Sequence, residues 1–165
     1  MVIGGLGAKP PMLNRGLGYF YLMRMGYKHI LIPIDGSEVS FKAVERAIDL
    51  AKQYNAKITI LYVIPKGGEF IDLFNLKSVR QAFEEEAHKY FEKARNITKA
   101  QNISAGFRLA EGKPWEKIIE TVKNLHCDLI VMGSHGRGRI EKFLIGSCTK
   151  RVLSEAPCPV LVVKE

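Results

Sequence analysis

The sequence predicts an α/β domain built around a mostly parallel β-sheet. Between residues 28 and 164, five short aliphatic runs alternate with longer segments in which apolar residues recur every three or four positions. These are the patterns of buried strands and of amphipathic helices. The strand-like runs are apolar throughout, as expected when helices cover both faces of a sheet. A chain of 165 residues suits one such domain with a sizeable core.

Turn signals delimit the predicted strands. The first strand ends in Asp35-Gly36-Ser37, where Ser37 suits the N-cap of a helix and Glu38 lies in the first turn, a favourable position for an acidic residue. The second strand ends before Pro65, and the third is the least apolar, which favours an edge of the sheet. The strands are predicted at residues 28–35, 57–63, 104–110, 127–132 and 159–163.

Helices are predicted between the strands. Pro114 opens the helix before the fourth strand, because proline is well placed in a first helical turn. Residues 70–76 suit either a short helix or an apolar flap, a short helix is predicted at 141–145, and the last helix is predicted at 147–155. The apolar faces of the three longer helices are formed by Phe41, Val44, Ile48, Ala51, Val79, Phe83, Ala87, Tyr90, Ala94, Ile97, Trp115, Ile118, Ile119, Val122 and Leu125.

Composition argues against several classes of protein. No apolar run approaches the roughly 20 residues that span a bilayer, so no membrane partner is expected. The net charge of +8 includes no basic stripe interleaved with aromatics, so nucleic acid is not expected as a partner. Three scattered cysteines without a C-x-x-C pair support neither a disulfide framework nor a zinc site, and they favour a cytoplasmic location.

The first 27 residues differ from the rest of the chain. Glycines, two adjacent prolines and the cluster Tyr19-Phe20-Tyr21 show no clear period. The order of charged and apolar stretches is wrong for a signal peptide. We expect residues 1–27 to form an extension outside the fold and residues 28–165 to form the domain.

Two strand ends carry residues suited to a ligand, and ligands of open α/β sheets bind beyond the carboxyl ends of the strands. The first strand ends at Asp35, and the fourth is followed by Gly133 and Gly136. Glycines let backbone N–H groups approach an anion, and a helix beginning at Ser147 adds unpaired N–H groups and a partial positive charge. These features favour a phosphate site at residues 133–149. A flexible loop before a capped helix, with Asp35 as a turn-forming residue, is the alternative.

The chain also resembles the universal stress protein family. The spacing Gly133-x-x-Gly136, nine residues, Gly146-Ser147 is similar to the phosphate-binding signature of ATP-binding members. The segments KHILIPIDGSE, EGKPWEKIIE, DLIVMGSHGRG and APCPVLVV occur in the family's order across residues 28–164. The resemblance implies a single open five-stranded parallel sheet, Rossmann-like, with strand order 3-2-1-4-5 and helices on both faces.

The resemblance further implies roles for individual residues. Asp35 would lie beside the adenine or ribose, at the far end of the nucleotide from the phosphate loop. Val63 would contact the base, and backbone and hydroxyl groups of residues such as Ser147 and Thr149 would hold the phosphates. The residues implied as nucleotide-binding are Pro33, Ile34, Asp35, Val63, Met132, Gly133, His135, Gly136, Arg137, Gly146, Ser147, Cys148 and Thr149.

The implied ligand is ATP or another adenine nucleotide, with Mg²⁺ or Mn²⁺ held mainly by its phosphates. The strand Val160–Val163 would pair with its copy in a homodimer; an ordinary edge strand blunted by Lys164 and Glu165 is the alternative. The implied function is a nucleotide-dependent binding or signalling module in the stress response. Slow ATP hydrolysis and an adaptor that has lost nucleotide binding are the alternatives, and no catalytic residue is assigned.

Cys148 departs from the family, which usually carries a small aliphatic residue between Ser147 and Thr149. A thiol at a helix N-terminus can have a depressed pKa and react with oxidants. An inert, buried side chain is the alternative interpretation of Cys148.

Overall fold

The fold is a five-stranded parallel sheet with helices on both faces. The computed structural model describes residues 26–65, 77–137 and 145–164. The elements are β1 (His29–Ile34), α1 (Glu38–Tyr54), β2 (Lys57–Pro65), α2 (Lys77–Ala100), β3 (Ala105–Gly112), α3 (Pro114–Leu125), β4 (Leu129–Gly133), α4 (Ser147–Glu155) and β5 (Val160–Val163). All neighbouring strands pair in parallel, in the order β3-β2-β1-β4-β5. The predicted class, sheet and strand order are therefore confirmed.

Several predicted segments lie wholly or largely outside the residues that the structure describes. Residues 1–25, the segment at 70–76 and all of the predicted helix at 141–145 except Ile145 lie outside the described residues. Ile145 itself belongs to no helix.

All five strands are present, and each differs from its predicted range by one or two residues at one or both ends. β4 begins at Leu129 and not at residue 127. Just before it, the Asp128 carboxylate accepts the backbone N–H groups of Lys28 (2.8 Å) and His29 (3.0 Å), and the Asp128 backbone N–H donates to the His29 carbonyl (3.0 Å). Backbone and side chain of Asp128 thus both tie this segment to the start of β1. β2 continues to Pro65 because its partner β3 runs alongside it to Gly112.

The core consists of one layer on each face of the sheet. Ile32 of β1 packs towards α1 and α2, whereas its neighbour Leu31 packs towards α3 and α4. The same alternation holds for Ile60 and Leu61 in β2, because successive side chains of a strand point to opposite faces. Two buried faces explain why these strands are apolar throughout.

Strand direction and order define the ligand-binding edge. The chain runs from β1 through β2 to β3 on one side, and from β4 to β5 on the other. The order therefore reverses between β1 and β4, which are neighbours in the sheet. A crevice is expected outside the carboxyl ends of two such strands.

Candidate functional site

A cavity of about 340 Å³ lies at the carboxyl edge of the sheet, where β1 and β4 end. It brings together every residue that the sequence singled out. These residues are Pro33, Ile34, Asp35, Val63, Met132, Gly133, His135, Gly136, Arg137, Gly146, Ser147, Cys148 and Thr149. The predicted juxtaposition of the two strand ends is therefore present.

Further lining residues were missed by the sequence analysis. They are Ser40, Leu61, Tyr62, Pro65, Pro114 and Ile118. Strand alternation places Leu61 on the same face as Val63, and helical spacing places Ile118 one turn after Pro114. These two periodic relations are the sequence signals that could have identified Leu61 and Ile118 as cavity-lining residues. Leu61 and Pro65 from the end of β2, with Pro114 and Ile118 from the start of α3, form an apolar wall of the cavity.

Asp35 connects the two strand ends. One carboxylate oxygen, Oδ1, accepts the backbone N–H of Ser37 (3.1 Å) and its hydroxyl (2.6 Å). The Ser37 hydroxyl oxygen in turn accepts the N–H of Ser40 (3.2 Å) as the N-cap of α1, as predicted for Ser37. The other carboxylate oxygen, Oδ2, accepts the backbone N–H of Arg137 (3.1 Å). The Asp35 carboxylate therefore bonds directly to the loop after β4, and its place beside the adenine or ribose stays a prediction.

Three glycines allow this loop to pack closely. A Cβ at Gly136 would collide with Oδ2 of Asp35, and a Cβ at Gly133 would lie 2.9 Å from Cγ1 of Val39 on α1. A Cβ at Gly146 would lie 3.2 Å from Cα of His135. The glycines are thus required by close contacts between backbone and neighbouring groups.

The N-terminus of α4 supplies donors to the cavity. Gly146 is the N-cap, and the first backbone bond of the helix runs from the N–H of Lys150 to the Gly146 carbonyl (2.9 Å). Within the described part of the chain, the N–H groups of Ser147, Cys148 and Thr149 have no acceptor. All three residues line the cavity. Unpaired amides and the positive end of a helix dipole make this an anion-binding position.

The hydroxyl of Thr149 has a different role from the predicted one. It is buried, with 3% of the residue exposed, and donates to the carbonyl of Gly133 (3.0 Å). Its proton is therefore committed to holding α4 against the end of β4, and only the backbone N–H of Thr149 stays available to a ligand. A hydroxyl bond from Thr149 to phosphate stays a prediction, and in this structure the hydroxyl bonds to Gly133.

Arg137 also differs from the expectation. Its guanidinium binds the Glu86 carboxylate through both terminal nitrogens and donates to the hydroxyls of Tyr62 (3.1 Å) and Tyr90 (2.9 Å). Arg137 lines the cavity, but its charge is paired with α2. His135, another residue implied as nucleotide-binding, has its Nδ1 at 2.9 Å from the Ser134 hydroxyl.

Comparison with known proteins identifies the family. The sequence profile of the universal stress protein family matches residues 26–164. The chain belongs to the universal stress protein family. A universal stress protein of Methanocaldococcus jannaschii is 34% identical over 142 residues, covering 84% of this chain and 83% of the relative.

Solved structures of the family share the fold. Universal stress protein UspA from Lactobacillus plantarum matches with a TM-score of 0.70 and 26% identity, covering 84% of this chain and 99% of that one. A universal stress protein solved in complex with cAMP matches with a TM-score of 0.65 and 24% identity, covering 84% of this chain and 98% of the other. The parallel sheet and its order are therefore those of universal stress proteins.

The Cys148 thiol of this universal stress protein is not activated. Burial, and secondarily the charge of Asp35, raise the pKa of Cys148 to about 11. A protonated thiol is a poor nucleophile. The geometry thus supports the inert interpretation of Cys148 over the redox-reactive one.

The described residues of this universal stress protein contain neither a metal-ion cluster nor a membrane-spanning helix. Within residues 26–65, 77–137 and 145–164, no group of three His, Cys, Asp or Glu side chains is placed to hold a metal ion. Over those ranges, no helix has the length and apolarity to cross a bilayer.

Proposed function

We propose that this universal stress protein binds an adenine nucleotide, ATP or a close relative, in the cavity at the end of β1 and β4. One observation carries the proposal: three consecutive amides at the start of α4 lack acceptors among the described residues and belong to residues that line the cavity. Phosphate is the ligand group that such a helix terminus binds best. The phosphates would therefore lie against Ser147, Cys148 and Thr149.

The base would occupy the apolar end of the cavity. Leu61 and Val63 from β2, Ile118 from α3 and Met132 from β4 supply apolar surface there. Small-molecule sites combine such a wall with a few polar groups that fix orientation. The universal stress protein solved in complex with cAMP agrees with adenine as the base, as does the resemblance of residues 133–147 to the ATP-binding signature.

The proposal favours binding over catalysis. The carboxylate of Asp35 lines the cavity, but its two oxygens already accept three hydrogen bonds, two from Ser37 and one from Arg137. Those bonds hold the loop and occupy the carboxylate that would otherwise accept a proton from water. Any Mg²⁺ or Mn²⁺ would be held mainly by the phosphates. Unchanged ATP after overnight incubation with purified protein is the expected result, and sustained turnover would support the ATPase alternative.

A homodimer through β5 forms the second part of the proposal. Val160–Val163 pairs with β4 on one side and forms an edge of the sheet on the other. Leu161 on this strand is 40% exposed, and an apolar edge strand tends to pair with another strand. Pairing with a second copy would give a two-fold dimer. We place this dimer in the cytoplasm, where its three free thiols would stay reduced, as a nucleotide-dependent binding or signalling module in the stress response.

Mass spectrometry of nucleotide released from purified, denatured protein tests the proposal. We expect an adenine nucleotide at about one per chain, since one cavity of suitable chemistry is described. Protein without bound nucleotide would be titrated calorimetrically with ATP and AMP. No release together with no measurable binding to either nucleotide would refute the proposed function.

A further inference from the structure

Four polar side chains form a cluster between the loop after β4 and helix α2. Arg137 contributes its guanidinium from the loop, Tyr62 and Tyr90 contribute hydroxyls, and Glu86 on α2 lies among them. Tyr62 and Tyr90 each donate a hydrogen bond to the Glu86 carboxylate, at 3.0 and 2.8 Å. Both hydroxyls accept from Arg137. We call these four residues the Arg137 cluster.

The surroundings of the Arg137 cluster make these bonds strong. Tyr62 is only 2% exposed, while the side chains of Glu86 and Arg137 retain 30% and 44% exposure. Hydrogen bonds from Arg137 lower the pKa of Glu86 to about 2, and burial raises the pKa of Tyr62 to about 12. Glu86 is therefore ionised and both phenols keep their protons, so every bond of the cluster persists at neutral pH. Two-point pairing of a guanidinium with a carboxylate fixes direction as well as distance.

The cluster holds the loop from the side opposite to Asp35. The backbone N–H of Arg137 bonds to Asp35, while its side chain bonds to α2. The Tyr90 ring also packs over Gly36, where a Cβ would collide with it. One residue of α2 thus contacts the turn after β1, and another contacts the loop after β4. Both strand ends that form the cavity are braced by the same helix.

We propose that Glu86 is a positioning residue for the nucleotide site: it anchors Arg137 so that the loop from Gly133 to Arg137 keeps its ligand-accepting conformation. Arg137 accordingly acts as the anchor of the loop and does not bind phosphate. This inference rests on the proposed nucleotide binding, and it adds a residue that does not line the cavity. The competing role for Arg137, direct binding of phosphate, gives opposite expectations for Glu86 variants.

Affinity for a series of ligands separates the two roles. Adenosine, AMP and ATP would be titrated into wild-type protein, Glu86→Gln, Arg137→Met and the double variant. An anchoring role predicts that both single variants weaken AMP and ATP by a similar factor, on the order of tenfold for loss of a charged hydrogen bond. The double variant should be no weaker than the singles, because the two residues act as one unit.

Direct binding of phosphate by Arg137 predicts different affinities for the same variants. If Arg137 binds phosphate, Glu86→Gln releases its guanidinium and strengthens ATP binding, and the loss in Arg137→Met grows from adenosine to ATP. Either result would overturn the proposal, as would wild-type affinity in Glu86→Gln. Glu92→Gln is the matched control: it removes the surface ion pair of Glu92 with Arg95 on the same helix and should leave affinity unchanged.

Amide hydrogen exchange without ligand gives an independent readout. In Glu86→Gln, exchange at the Arg137 N–H should accelerate on the order of tenfold, while core amides such as that of Ile32 keep their protection. Unchanged exchange at Arg137 would overturn the positioning role. Hydrogen exchange is measured without nucleotide, so it tests the anchoring of the loop even if the wild-type protein binds no nucleotide. Failure of nucleotide binding would refute the proposed function alone.

Discussion

Replacement of Ser147 by proline isolates the contribution of a single backbone amide to ligand binding. Ser147 is the first residue of α4, a position where proline is favoured because its missing N–H has no partner within the helix. The preceding Gly146 has φ −62° and ψ 153°, which is the conformation that a residue before proline prefers. Ser147→Pro should therefore fold normally while it removes one proposed phosphate donor.

The expected loss follows from the strength of one charged hydrogen bond. An N–H donated to a charged group contributes about 1.5–3 kcal/mol, so affinity for ATP and AMP should fall roughly ten- to a hundredfold. Isothermal titration calorimetry measures this loss, and the melting temperature checks the fold. Ser147→Ala, which removes only the hydroxyl and keeps the N–H, is the matched reference from which the loss due to the amide alone is measured. If Ser147→Pro folds and binds as tightly as Ser147→Ala, the helix terminus does not hold the phosphates.

Three further predictions concern the loop and its supports. In Gly136→Ala the new Cβ would collide with Asp35, so this variant should displace Asp35 and weaken nucleotide binding roughly tenfold or more. Gly106→Ala is the control, because the nearest contact of its Cβ would be an ordinary 3.6 Å, and it should bind nucleotide normally in the same titration. Thr149→Val leaves the Gly133 carbonyl without its donor and should lower the free energy of unfolding by about 1–3 kcal/mol. Nucleotide affinity should change little, since the backbone N–H of residue 149 remains. Chemical denaturation that matches wild type would contradict this. Because folding lowers the Glu86 pKa from 4.5 to about 2, its pairing stabilises the fold above pH 4.5 and is lost as the pH falls through about 2. Glu86→Gln should cost about 1–2 kcal/mol at neutral pH after solvent screening, and denaturation from pH 7 to 2 should show a smaller acid-dependent loss of stability than wild type; parallel curves would contradict this.

The fold was predictable because its signals are local. Each strand is a short aliphatic run with both faces buried, as Ile32 and Leu31 show from opposite sides of the sheet. The N-cap at Ser37 and the helix start at Pro114 were also predictable from the sequence, since both depend on residues only a few positions away. The strand order needed the resemblance to a known family, because side-chain periodicity carries no information about which strands are neighbours.

The candidate site was predictable in position but not in its hydrogen bonds. All residues singled out around the two strand ends line one cavity. The hydrogen-bond partners of the Arg137 side chain could not be predicted from the sequence, because Glu86 lies 51 residues away on another element. The Thr149 hydroxyl was assigned to a ligand because its bond to Gly133 forms only when α4 docks against β4. Roles of polar side chains depend on such long-range contacts, whereas glycine spacing and helix starts are local.

Under the proposed function, phosphate recognition depends chiefly on the backbone. The guanidinium of Arg137 is paired with Glu86, and the Thr149 hydroxyl donates to the Gly133 carbonyl. Amides at a helix terminus are fixed in direction by the helix and need no side-chain ordering when a ligand arrives. Side chains of the site then serve mainly to hold the loop and to form the apolar wall.

Backbone amide chemical shifts during a titration with AMP test the central claim most directly. The account predicts that the amide signals of Ser147, Cys148 and Thr149 shift strongly and saturably, together with those of Gly133 and Gly136. If AMP binds while the signals of the α4 terminus stay in place, or if none of these signals responds at millimolar nucleotide, the phosphate site proposed here is contradicted.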